Sequence, residues 1–444
     1  MKTALSQCAI LALLSFSFFS LAEHAKQPST QLHAVTARNT LRVTDNYIPL
    51  RKHVAPHIPG QGSTLRRRGI MANLTNIHDV YYIIELQVGN QTIPVSVDTG
   101  SSDTWLVQNG YRCISYYGET PDCGLGEGLR GNLSGGNIPD LVFGRAYTDG
   151  TFVRGYFGYD DVSIGGITAK HQQLGLVDVA SWFGDGLVSG LLGLAYPLMT
   201  SLEGGEQSMA PYNPVFFTMW KDKLVQGLFS IALSRDADQL TPPGNEAHPS
   251  SPVESAGTSF LALGGLPPVT VDEESWAITP IQSMKLLGDW DFSTEERGLY
   301  IIVADAWVYG RRNGSVGLSK NTTQFPVLID VGATLSVLPK ELVMALYESF
   351  DPPAKYMSSR GLFYALCNAT VPEFGVQIGT SIFYFAPEDL LRQNARDPTN
   401  EYCRIGVTDS YFGPYVLGVT FLSNVVAVFD VGNNEMRFAS RKKY

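Results

Sequence analysis

Histidine is scarce in this 444-residue chain: of seven, only His78, His171 and His248 lie beyond residue 68, too few and too scattered for a metal cluster. Cysteine is sparse too. Cys8 sits in the N-terminal apolar run, and four remain, Cys113, Cys123, Cys367 and Cys403. An even count in a chain bound for secretion reads as two disulfides with three possible pairings; pairing Cys113 with Cys123 and Cys367 with Cys403 keeps each bridge within one half. No Gly-x-Ser-x-Gly and no phosphate-binding loop stands out. Positive charge is short beyond residue 68, where 23 basic residues face 40 acidic ones, a formal net of −17, which argues against nucleic acid as a partner. The C-terminus ends Met436-Arg-Phe-Ala-Ser-Arg-Lys-Lys-Tyr444, without the apolar tail of an anchor, so the mature product is expected to be soluble.

What the chain does have is core-forming material. Hydrophobic residues make up 44% and aromatics 11%, and 44 glycines punctuate many short β-branched runs. That composition points to a mostly β protein, and the length suggests two or three domains. Residues 1–22 read as a secretory signal peptide: one lysine, an apolar stretch short for a spanning helix, then small residues. Residues 23–68 hold eight basic and two acidic residues, a formal +6, and end in Leu-Arg-Arg-Arg68. A basic leader on an acidic body reads as a propeptide that docks by charge and is cut at a dibasic site; the alternative is a solvated basic tail. Sequons at Asn73, Asn90, Asn132, Asn313, Asn321 and Asn368 fit the secretory route. A boundary near Gly264-Gly265 divides the rest into lobes over residues 69–265 and 266–444. A short amphipathic helix is expected over 215–226, and a surface insertion over 235–258.

Two short runs carry the chemistry. Val95-Ser-Val-Asp-Thr-Gly-Ser-Ser-Asp-Thr-Trp105 delivers Asp98 into a turn at Gly100, and Val327-Leu-Ile-Asp-Val-Gly-Ala-Thr-Leu-Ser-Val-Leu-Pro339 delivers Asp330 into a turn at Gly332. Glycine at each turn permits a close approach that a side chain would block. Gly193 of Leu191-Leu192-Gly193 lies 95 residues after Asp98, and Gly418 of Val416-Leu417-Gly418 lies 88 after Asp330, so the halves read as a duplication. Two carboxylates brought to contact distance cannot both ionise. Sharing one proton, they can act as base and acid on one trapped water. Between them, Asp149-Gly150 in Tyr147-Thr-Asp-Gly-Thr151 signals a hairpin.

With these features in hand, residues 79–440 resemble the pepsin-like aspartic proteases, most closely the fungal secreted type. The resemblance implies an all-β, bilobal fold with two pseudo-two-fold related lobes and a cleft between them. It implies that Asp98 and Asp330 are the catalytic pair, that Tyr147 is the flap tyrosine with Trp105 supporting its hydroxyl, and that Thr99 and Ser101 support the first turn. Tyr147, Trp182, Leu191, Gly100 and Gly332 are then the substrate-binding residues, and the pocket formed by Trp182 and Leu191 with Tyr147 favours apolar or aromatic residues beside the cut. No cofactor or metal is implied; the partner is a peptide or protein substrate, the mature chain a monomer without membrane anchor, and its destination extracellular or vacuolar.

The second motif departs from the pattern. Family members carry Thr or Ser after each aspartate, and Val331 keeps that shape but lacks the hydroxyl, leaving buried groups of the facing loop unpaired at about 1–3 kcal/mol. Ala333 likewise cannot donate a hydroxyl to Asp330. The leading expectation is an endopeptidase; the alternative is a binding or inhibitor-like protein on the same scaffold, with weak or no hydrolysis.

Overall fold

A computed structural model describes residues 41–54, 80–115, 118–119, 123–147, 150–184, 186–200, 211–235, 258–287, 296–311, 317–358, 362–411 and 413–442. The N-terminal apolar run, the Arg66–Arg68 stretch, Asp149, most of the 235–258 insertion, and Asn73 and Asn313 lie outside the described residues. Strands dominate, forming two lobes in the all-β arrangement that the sequence implied. Among the described residues, no helix is long and apolar enough to cross a membrane.

The strand leading to Asp98 shows how the pattern becomes structure. In Gln91–Asp98, Ile93, Val95 and Val97 are buried while Thr92, Pro94 and Ser96 are not, the two-residue period of a half-buried strand. Gly89, at a φ of 57°, and Asn90 make the tight turn that pairs this strand with Val80–Val88. In the first half, Gln91–Asp98 runs parallel to Gly190–Gly193, with Asp98 opposite Gly193, and Gly190–Gly193 runs antiparallel to Trp105–Ser115. In the second half, Pro326–Ile329 runs parallel to Val416–Leu417, which pairs antiparallel with Ser336–Pro339. The Leu-Leu-Gly and Val-Leu-Gly runs thus sit beside their aspartates in the same way. This is the duplication that the spacing suggested.

A six-strand floor joins the halves: Ala277–Pro280, Glu435–Ser440, Val425–Asp430, Leu228–Ala232, Ser259–Leu263 and Tyr47–Val54, in that order. Its centre is packed by Phe229 stacked on Phe429, ring centroids 4.6 Å apart. Because Leu228–Ala232 pairs directly with Val425–Asp430, segments on both sides of residue 265 share one sheet.

Tyr47–Val54 lies inside the stretch read as a leader. Its first half pairs with Ser259–Leu263 and its second half with the start of Val80–Val88, so it bridges floor and N-terminal lobe with Leu50 buried. Charge was the expected hold on this segment. The described part is held by backbone pairing on both sides. The helix expected over 215–226 forms over Val215–Lys221 and stops early, with Lys223 at a left-handed φ of 60°. Disulfides join Cys113 to Cys123 and Cys367 to Cys403, the local pairing.

Candidate active site

The two aspartate turns meet face to face. Each turn glycine gives its N–H to its own aspartate, Gly100 to Asp98 and Gly332 to Asp330, both at 2.8 Å. A Cβ placed on Gly100 would lie 2.6 Å from Asp330 Oδ2, and one on Gly332 would collide with Asp98 Oδ1. Only glycine lets each backbone approach the opposite carboxylate this closely. The two carboxyls are themselves within hydrogen-bonding reach, and the Gly100 N–H also serves Asp330. Asp330 keeps some exposed surface but is otherwise closely surrounded by protein. Burial first, and then the neighbouring charge of Asp98, push its carboxyl well above the usual carboxylate range; the two glycine N–H groups oppose that rise.

The supports are unequal. The Ser101 hydroxyl donates to Asp98 Oδ2, while Ala333 on the other side has nothing to donate. The fully buried Thr99 hydroxyl reaches across the pseudo-two-fold, donating to the Ile329 carbonyl at 3.1 Å and accepting the Val331 N–H at 3.0 Å. Val331, also fully buried, returns no such bond. One turn holds the other.

An aromatic cluster lies near the pair, its Tyr147 close enough to feel the charge of Asp98. Trp105 Nε1–H donates to the Tyr147 hydroxyl at 2.7 Å, and Trp182 packs edge-on against both rings at 5.3 Å. Leu191 joins the same apolar cluster. The hairpin carrying Tyr147 closes through Tyr147 N–H to the Thr151 carbonyl at 2.9 Å. Burial pushes the Tyr147 phenol far above its usual range, so it stays a neutral donor. The structure brings Asp98, Thr99, Gly100, Ser101, Asp330 and Gly332 together in the two facing turns, and it brings Trp105, Tyr147, Trp182 and Leu191 together in one cluster.

Sequence reasoning missed three neighbours. Asp103 is 1% exposed, accepts a hydrogen bond from the Tyr212 hydroxyl at 2.7 Å, and lies 4.0 Å from Arg145 Nη1. The signal was present for Arg145, which stands two positions before Tyr147 on one strand face. Nothing local in the sequence tied Tyr212 to Asp103.

Comparison with known proteins points to one family. The family model described as eukaryotic aspartyl protease matches residues 81–242 and 291–441. A probable aspartic-type endopeptidase of Aspergillus fumigatus is 35% identical over 382 residues, covering 83% of this chain and 81% of that protein. The acid protease of Saccharomycopsis fibuligera is 27% identical, covering 84% of each chain, and penicillopepsin-1 of Talaromyces stipitatus is 26% identical, covering 84% of this chain and 81% of that one. Two matched halves, each bearing one aspartate of a facing pair, place this chain in the eukaryotic aspartyl protease family.

Proposed function

We propose that this protein is an endopeptidase that hydrolyses peptide bonds at acid pH with a water held between Asp98 and Asp330. The observation that carries this reading is the contact of two carboxyls, one of them, Asp330, with a proton affinity raised by burial and by its partner. The ionised member takes a proton from the water as it attacks the scissile carbonyl. The protonated member polarises that carbonyl, and no covalent intermediate forms. An extended substrate lies under the Tyr147 hairpin, which excludes bulk water, with an apolar side chain against Trp182 and Leu191.

Residues 1–22 direct the chain to the secretory route, and residues 23–68 restrain it until removed near Arg68. Delivery is then extracellular or vacuolar, and the exposed positions of Asn90, Asn132 and Asn368 support glycosylation there. The missing Val331 hydroxyl favours the second reading, a binding protein with little hydrolysis. Incubating the processed chain with a mixed peptide library across acid pH, with and without pepstatin, separates the two. Pepstatin-blocked cleavage beside apolar residues supports the protease; tight peptide binding with no cleavage at any pH supports the binding protein.

A further inference from the structure

We propose that Asp103 is a positioning residue for the flap, acting through Arg145 to hold the root of the Tyr147 hairpin against the Asp98 loop. Asp103 and Trp105 are two positions apart in the segment that follows Asp98, and Arg145 and Tyr147 are two apart at the flap root. The two pairs meet in register: Trp105 with Tyr147 through a neutral hydrogen bond, Asp103 with Arg145 through opposite charges. The flap root is thus tethered twice to the loop that carries one of the two facing carboxyls.

The charged tether is anchored from behind. Tyr212 Oη–H donates to Asp103 Oδ1 at 2.7 Å, and its ring packs edge-on against Phe157, fixing one carboxylate oxygen while Oδ2 is the one nearest Arg145. Arg145 Nη1 also lies 3.5 Å from the Met199 carbonyl, so one guanidinium spans the flap strand, the Asp98 loop and the segment after Gly193. Its side chain is 21% exposed while that of Asp103 is 1% exposed, which makes the carboxylate the fixed partner and the arginine the movable one. A buried carboxylate holds its place only while paired and hydrogen-bonded. Here that requirement couples its surroundings to a hairpin that must open and close over substrate.

The inference rests on the protease reading for its kinetic arm alone. Asp103→Asn keeps an acceptor for Tyr212 and removes the charge facing Arg145; Arg145→Met keeps the stem and removes the charge from the other side. Hydrogen exchange followed by mass spectrometry is compared for peptides covering residues 141–157 and for the rest of the chain, together with kcat and KM on one peptide substrate. Each variant is expected to raise flap exchange about tenfold with other regions unchanged, and to raise KM about fivefold with kcat changed less than about twofold. Asp103→Asn combined with Arg145→Met is expected to be no worse than either alone, and Arg145→Lys to restore most of the loss. Unchanged flap exchange in either variant, additive effects in the double variant, or loosening of the whole chain at once overturns the proposal. Flap loosening in a chain that cleaves nothing upholds it and overturns the protease reading.

Discussion

The two aspartate turns share a backbone plan and differ in the side chains that support it. Around Asp98, Thr99 clasps the opposite turn and Ser101 donates to the carboxylate. Around Asp330, Val331 and Ala333 stand at the corresponding positions with no polar atom in their side chains. Yet the turns superpose in logic: parallel strand, glycine N–H to aspartate, later Leu-Gly run alongside. Backbone pairing and a turn glycine recur on both sides, and the Asp330 turn relies for its side-chain clasp on Thr99 of the other. The hydroxyls add to the first turn hydrogen bonds that the second turn's own side chains do not make. The two carboxyls differ accordingly: Asp98 is supported by polar side chains, and Asp330, raised by burial and by the charge of Asp98, is the carboxyl of high proton affinity.

The largest test treats the turns as equals. If both carboxyls act on one water, Asp98→Asn and Asp330→Asn each lower kcat by about 10² to 10⁴ while circular dichroism and thermal unfolding stay near those of the parent. Robust pepstatin-sensitive turnover by Asp330→Asn sinks the two-carboxylate mechanism.

How much of this was legible beforehand follows from how local each signal is. The strand leading to Asp98, its Gly89-Asn90 turn and the glycine of each aspartate loop are written within about ten residues, and all appear where the pattern places them. The local disulfides are those that the even cysteine count and bridging within each half suggested, and the clustering of Trp105, Tyr147 and Trp182 is the one that the resemblance implied. Long-range pairing was not legible. Nothing in Tyr47–Val54 announces that a basic leader segment fills a gap between two sheets, because its partners lie about 30 and 210 residues away and are chosen by open edges. The Asp103–Tyr212 bond spans 109 residues of chain and was missed for the same reason, that no local pattern announces its partner.

Next in size is the clasp itself. Thr99 is fully buried and serves two backbone groups of the other turn, so Thr99→Val leaves the Ile329 carbonyl and the Val331 N–H unpaired. The expected loss is about 1–3 kcal/mol for each group, read by denaturant unfolding. The comparison sharpens with the reverse change. Val331→Thr is close to isosteric and restores a hydroxyl facing the first turn, so stability should rise by about 1 kcal/mol. A loss in Val331→Thr means that its pocket offers the hydroxyl no partner, and that the asymmetry is built into the backbone as well as the side chains.

The smallest expected effect concerns ionisation. Asp330 is held well above the usual carboxylate range, so the folded chain keeps a proton that the unfolded chain releases near pH 4. Stability from this group is full below that pH and declines as pH rises through the folded-state value. Activity that needs the protonated carboxyl falls across the same upper range. A hydroxyl donated from position 333 would stabilise the charged form of Asp330 and so lower its proton affinity. Ala333→Thr is therefore expected to move the upper limb of the pH–activity curve toward acid by a fraction of a pH unit, with the lower limb moving less. The pair titrates together, so the shift belongs to the whole profile and is measured on one peptide across pH in both proteins. Val331 is common to both, and its effect cancels unless the two positions couple through the turn, which Ala333→Thr in a Val331→Thr background would reveal. An unchanged or alkaline-shifted limb would show that burial and the Asp98 charge alone set the range, and that the missing hydroxyl matters only to how firmly the turn is held.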